Sequence, residues 1–330
     1  MPPRRTHAIL LLTLLPFLTT PSPIRVINTP RASKANTPSA SEANTPSASE
    51  ANTPSVSEAN TPSVSEANTP SVSEANTPSV SEATRIFPIF GPKYGKVTIR
   101  DRKLRGAVYY IVGGHGGPDS GARGKREGKT LCEDEYAYDV ALRLAHNLLS
   151  HDATVYIITR DDNDGIRDEK YLACDSDETV WRGKAIPTGQ LERLKQRADV
   201  VNRLYRRNRR VRYQRQIVLH VDSRHEGNRV DIFFYHHSSS AGGKRTAETL
   251  QRTIEEKYRV HQPTRGYHGY VIARDRLYML RKTLPRTVYI ELGNIRNAQD
   301  QRRFVSVDNR QALANWLSEG LMRDFRRQRR

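Results

Sequence analysis

Val112-Gly113-Gly114-His115-Gly116-Gly117-Pro118-Asp119-Ser120-Gly121-Ala122 follows directly on the apolar run Ala107-Val108-Tyr109-Tyr110-Ile111. The run reads as a buried strand. Gly113, Gly114, Gly116 and Gly117 let the backbone turn sharply and approach closely whatever His115 holds. A histidine on a glycine loop at a strand end suits a metal ligand, because imidazole is the commonest metal-binding side chain and a strand end fixes its position. Taken alone, the stretch reads equally well as a glycine-rich turn carrying a surface histidine.

The rest of the chain alternates strand-like and helix-like segments. Residues 153–158, 216–219, 230–235 and 287–290 are short apolar runs of strand length. Residues 132–149 carry helical spacing, with Ala137, Val140, Ala141, Leu144 and Leu148 along one face; residues 191–204, 245–258 and 311–325 also read as helices. This alternation predicts a three-layer α/β domain with a mostly parallel sheet flanked by helices. Ligands bind such sheets beyond the carboxyl ends of the strands. His115, His220 and Glu291 each fall at the end of a predicted strand, which places three chemistry-bearing side chains at one edge of the fold.

The chain has 330 residues and a formal net charge of +18, a length for one or two domains and a charge that attracts polyanions. Residues 1–22 read as a secretory signal: Arg4, Arg5 and His7 precede an apolar core over 8–18 that is too short to span a bilayer. The octapeptide Ala35-Asn36-Thr37-Pro38-Ser39-Ala40-Ser41-Glu42 then recurs to Glu82 in six copies. Each copy offers too little apolar surface to offset chain entropy, so 23–85 is expected to be a disordered, extended linker. Residues 86–330 have the composition of a folded domain. The arginine-rich stretches 206–215 and 326–330 lack the aromatic interleaving of a nucleic-acid platform. With an export signal they fit attraction to an anionic cell wall, and no nucleic-acid partner is expected.

A catalytic zinc takes three protein ligands and leaves one position open. His115 and His220 supply two nitrogens. The third ligand is expected to be a carboxylate near the same sheet edge, and Glu133 and Glu135 both qualify at the start of the helix after the glycine loop; the one that is not a ligand caps the helix. Glu291 remains as the general base.

These residues resemble a known family. His115-Gly116-Gly117-Pro118-Asp119-Ser120-Gly121-Ala122 resembles the H-G-G-x-D-x-G-A signature of the zinc-dependent N-acetylmuramoyl-L-alanine amidases that cleave bacterial peptidoglycan. Leu219-His220-Val221-Asp222-Ser223 is similar to that family's H-x-[ND]-[AS], and Glu291-Leu292-Gly293-Asn294-Ile295-Arg296-Asn297 to its E-x-G-F-[LI]-S-N. Thr159-Arg160, the segment from Arg197 to Asn202 and Leu280-Arg281 have parallels as well, in family order, over about residues 107–325. The resemblance implies one zinc held by His115, Glu133 and His220, with Glu135 as the alternative third ligand, and Glu291 as catalytic glutamate. Asp119 either orients the glycine loop or a ligand, or caps the turn. Departures are Val112-Gly113 for D-P, Ser120 for a common proline, Val201 for an alanine, and Asn294 and Arg296 for an aromatic and a serine. None removes a ligand or the base.

Residues 161–190 form a longer segment than the family usually has. Its aspartates at 161, 162, 164, 168, 175 and 177 fit no EF-hand spacing and are expected to be a solvated acidic loop. Cys132 and Cys174 are the only cysteines, and in an exported chain they are expected to pair; the alternatives are two free thiols, or Cys132 as a zinc ligand. The implied substrate is the lactyl amide between N-acetylmuramic acid and the stem-peptide L-alanine, in the periplasm or outside the cell. The competing readings are a zinc carboxypeptidase using Arg160 or Arg281 for a terminal carboxylate, and a catalytically silent wall-binding protein. No membrane span is expected, and nothing in the sequence names a regulatory protein partner.

Overall fold

The computed structural model describes residues 83–329. The signal expected over 1–22 and the repeats up to Glu82 lie outside the described residues. Thr84–Ile86 pairs antiparallel with Lys96–Thr98, so Thr84 and Arg85, assigned to the linker by composition, form a hairpin strand.

Six strands form the central sheet: β1 (Ala107–Gly113), β2 (Thr154–Ile157), β3 (Tyr213–Asp222), β4 (Phe233–His236), β5 (Val271–Ala273) and β6 (Arg286–Asn294), in the order β5-β4-β6-β3-β1-β2. β1 is buried along its whole length, as a central parallel strand covered on both faces must be. β2, β1, β3 and β6 run parallel. β4 pairs antiparallel with β6, and β5 parallel with β4. The connection over 223–232 is shorter than the crossover of about a dozen residues that a parallel return needs, so the chain reverses there. The sheet is mixed, and mostly parallel as expected. β3 and β6 continue past His220 and Glu291, because the ladder resumes at Asp222 and Asn294 after an irregularity.

Helices α1 (Glu133–Ser150), α2 (Gln190–Arg207), α3 (Ala241–His261), α4 (Ala298–Val305) and α5 (Val307–Arg329) complete the fold. Alternate residues of each strand face opposite sides. Tyr109, Ile111, Ile217, Leu219, Val288 and Ile290 pack on one side into a core shared with α1, α3 and α5. Val108, Tyr110, Val112 and Val218 face the other way, onto Ala198, Val201 and Leu204 of α2. These are the three layers. On the first side, Asp139 of α1 is out of solvent and lies 2.7 Å from Arg143 and 2.6 Å from Arg310. The two guanidiniums also donate to the carbonyls of Arg167 and Glu169, which docks the 161–190 segment against α1 and α5. Cys132 and Cys174 form a disulfide, with Cα atoms 5.8 Å apart, and tie the same segment to the start of α1.

Candidate metal centre

His115 lies two residues beyond β1, with a left-handed backbone (φ 61°) that is uncommon outside glycine. Two contacts hold it there. Arg197 of α2 donates to its carbonyl oxygen, and Asp119 Oδ2 lies 3.0 Å from its Nδ1. With Nδ1 occupied, Nε2 points at the carboxylate of Glu133, 3.2 Å from Oε2. Glu133 is the first residue of α1, where the helix dipole favours a negative charge. Its Oε1 lies 2.8 Å from His220 Nδ1. The Val221 and Ala122 amides donate to the two carboxylate oxygens at 3.0 and 2.8 Å. His115, Glu133 and His220 therefore converge, with one donor atom from each within 4.8 Å of the other two.

Glycine is required here by space as much as by backbone angle. A Cβ on Gly114 would sit 2.3 Å from His220 Cε1, and one on Gly121 would sit 2.7 Å from Glu133 Oε2. Burial opposes ionisation of Glu133, but its two imidazole neighbours outweigh that and hold the carboxyl well below its usual range. Burial likewise opposes charge on His115, while Asp119 and Glu133 push its pKa up to about 10. His220 moves the other way, pushed down chiefly by burial. Two imidazole nitrogens and one ionised carboxylate oxygen, with one ring held by a carboxylate from behind, fit a three-ligand zinc.

Glu291 is the register partner of His220 on the neighbouring parallel strand, so both side chains leave the same face of the sheet. The residue is half-buried overall, but its Oε2 is out of solvent and has no hydrogen-bond partner. Burial, then the nearby Glu133 and Asp222, push its carboxyl well above the usual range. Glu135 is placed elsewhere: it faces Arg167 at 2.8 Å and accepts from the Asp175 amide at 3.0 Å. Cys132, being disulfide-bonded, has no thiolate to offer. Asp119 fills both roles foreseen for it, since it holds His115 and also accepts from the Gly121 amide at 3.2 Å.

Three supporting residues had been given no role from sequence. Arg193 lies 2.8 Å from Asp119, Arg197 holds the His115 carbonyl, and the Tyr289 ring stacks on His220 with centroids 4.4 Å apart. A signal for the arginines was present: they are four residues apart on the face of α2 that also carries Ala198 and Val201, so the helix buries two cations.

The sheet thus brings two histidines and a glutamate together near the carboxyl ends of its parallel strands, with Glu291 paired to His220 on the neighbouring strand, an arrangement that could hold a metal ion. The family model described as N-acetylmuramoyl-L-alanine amidase matches residues 110–323, more than half of the chain, and the chain belongs to that family. No curated protein matches it. Among solved structures, the CwlD amidase from Clostridioides difficile, solved in complex with the GerS lipoprotein, is 17% identical, with a TM-score of 0.50 over 66% of this chain and 98% of that one. AmiC2 of Nostoc punctiforme is 20% identical (TM-score 0.47, 68% of this chain and 99% of that one). Ami1 from Mycobacterium smegmatis is 16% identical (TM-score 0.48, 67% and 97%). At 17% identity the likeness to the CwlD amidase concerns the fold.

Proposed function

We propose that this chain hydrolyses the amide between N-acetylmuramic acid and L-alanine in peptidoglycan, with one zinc held by His115, Glu133 and His220 and with Glu291 as general base. The observation that carries the reading is the convergence of those three donors near Glu291, whose Oε2 is out of solvent and unpartnered. Zinc bound there supplies a Lewis acid for the amide carbonyl and lowers the pKa of water. Glu291 accepts the proton of the attacking water at Oε2 and returns it to the nitrogen of the departing L-alanine. Burial and the nearby Glu133 and Asp222 raise its pKa, which makes the ionised carboxylate a stronger base than a free one. Asp119, Arg193 and Arg197 keep His115 in place, and Tyr289 keeps the His220 ring in its plane. Family membership supports the substrate. Export through a signal over 1–22, and reach into the wall through a spacer over 23–85 ahead of a catalytic domain, belong to the same proposal. Among the described residues no helix is long and apolar enough to cross a membrane.

The carboxypeptidase reading has less support. Arg281 is exposed, and Arg160 is turned toward Asp162 and the Trp181 ring. The arginines that line the cleft at His115 and His220, Arg193 and Arg197, are committed to Asp119 and the His115 carbonyl. A silent wall-binding protein would have lost a ligand or the base, and all four residues are present. The test separates ligand from base. Purified protein should carry about one zinc per chain; Glu133→Ala should lose the metal. Glu291→Ala should keep it and lose about 10²–10⁴-fold in turnover. Unchanged turnover in Glu291→Ala, or full activity in metal-free protein, would refute the assignment.

A further inference from the structure

The long acidic segment was expected to be solvated, and Asp162, Asp168, Asp175 and Asp177 are exposed. Asp161 and Glu178 are not. They turn inward and are 2% and 4% exposed, and Glu178 meets Asp134 and Glu135 from the first turn of α1. Carboxylate oxygens of Asp134, Glu135 and Glu178 lie within 4.8 Å of one another, and so do those of Asp161, Asp175 and Glu178. Glu178 belongs to both groups. In a chain of net charge +18, the cation paired with this cluster among the described residues is Arg167, through Glu135. Asp134, Asp161, Asp175 and Glu178 have no ion-pair partner there.

Some of their oxygens are spoken for. Asp161 accepts from the Asn163 and Asp164 amides at 3.0 and 2.9 Å, Glu178 accepts from the Gly117 amide at 2.6 Å, and Asp134 Oδ1 accepts from the Glu135 amide at 3.0 Å. Asp134 Oδ2 is different. Asp134 is 1% exposed, Oδ2 is out of solvent, and nothing donates to it. A carboxylate oxygen left dry and unpaired among like charges calls for a compensating cation or a proton.

We propose that Asp134, Asp161, Asp175 and Glu178 bind a calcium ion that fastens the 161–190 segment to the start of α1. The donors are all oxygens, which selects a hard cation over zinc. Calcium takes six to eight oxygens at about 2.3–2.6 Å in irregular arrangements, whereas magnesium demands a near-ideal octahedron; carboxylates from a helix start and an irregular segment suit the former. The ion bears on the zinc centre from behind. Glu178 holds the Gly117 amide, two residues beyond His115, and Asp134 adjoins Glu133 in sequence. The disulfide at Cys174 delivers Asp175 to the same place. Calcium binding here does not require zinc at the histidines, so the two assignments fail separately.

The test uses the zinc-loaded full-length protein in calcium-free buffer, with calcium chloride as the probe. Calcium at a hundredfold its dissociation constant should raise the melting temperature by about 5–10 °C. Terbium should bind competitively with calcium and give emission sensitised by Tyr138, whose hydroxyl lies 3.2 Å from the Asp161 carbonyl oxygen. Asp134→Asn should melt higher than the parent without calcium, because an unpaired charge is gone, and should lose the calcium response; Glu178→Gln should lose it as well. If Glu178→Gln fails to fold for want of its Gly117 contact, Asp134→Asn still decides, since the Asp134 carboxylate accepts only from the adjoining Glu135 amide among the described residues. A parent protein whose melting ignores calcium and which gives no terbium emission would overturn the proposal, its carboxylates being held as protonated pairs. A full calcium response in Asp134→Asn would overturn it too, by placing the ion elsewhere.

Discussion

Gly114→Ala adds one methyl group at the point where the fold leaves least room for it. Its Cβ would lie 2.3, 2.4 and 2.5 Å from Cε1, Nε2 and Nδ1 of His220, against an ordinary contact that begins at about 3.4 Å. The ring must therefore move by about 1 Å. It has nowhere to go: β3 lies between β1 and β6, so Gly114 closes one side of the imidazole and Tyr289 of β6, stacked at 4.4 Å, closes the other. Gly114 does not have a positive φ, so alanine brings no backbone strain of its own and the effect is confined to the ring. A misplacement of about 1 Å at a reacting centre costs about 100-fold in rate, and a disturbed ligand geometry costs roughly 10–100-fold in metal affinity. Zinc affinity by competition with a chromophoric chelator, with melting measured in parallel, reads both effects. Gly114→Ala should fold and bind zinc at least 10-fold more weakly. Parental zinc affinity in a folded Gly114→Ala protein would refute the placement of His220 in the metal centre.

Two further outcomes follow from the packing. Asp139→Ala leaves the guanidiniums of Arg143 and Arg310 buried without their shared carboxylate and should cost about 3–5 kcal/mol in denaturant unfolding; a loss below about 1 kcal/mol would contradict the ion-pair account. Reducing Cys132–Cys174 releases a crosslink with a sequence separation of 42, worth about 4 kcal/mol by chain entropy. It should speed proteolysis between residues 161 and 190 while zinc stays bound; zinc loss on reduction and alkylation would show that the bridge supports the ligands directly.

Much of the candidate centre was legible because its residues sit near the carboxyl ends of strands, although β3 and β6 continue past His220 and Glu291. An apolar run followed by glycines and a histidine marks a strand and its exit, and the same reading located His220 and Glu291. The choice of Glu133 over Glu135 rested on resemblance, because both occupy one helical turn and only the direction of each side chain separates them. Features set by distant partners were not legible. Nothing local says that Arg197 will hold the His115 carbonyl, or that Tyr289 will stack on His220, because each partner arrives from another strand or helix. The antiparallel β4 depended on the length of a connection whose ends were placed a few residues off. The small sheet of Thr159–Arg160, Thr179–Val180 and Lys184–Ala185 has strands too short to show alternation. In the acidic segment charge alone predicted solvation, which holds for Asp162 and Asp177 but not for Asp161 and Glu178. Their burial follows from the disulfide and from the docking of Arg167 and Glu169 on α1 and α5.

The most direct measurement is digestion of purified peptidoglycan by the zinc-loaded protein, with mass analysis of the released fragments. The account predicts intact stem peptides that carry a free L-alanine amine, alongside glycan strands that retain an unsubstituted lactyl carboxylate, and none of these products from Glu291→Ala. Stem peptides still attached to the glycan but shortened at their carboxyl ends would contradict it and establish a carboxypeptidase instead.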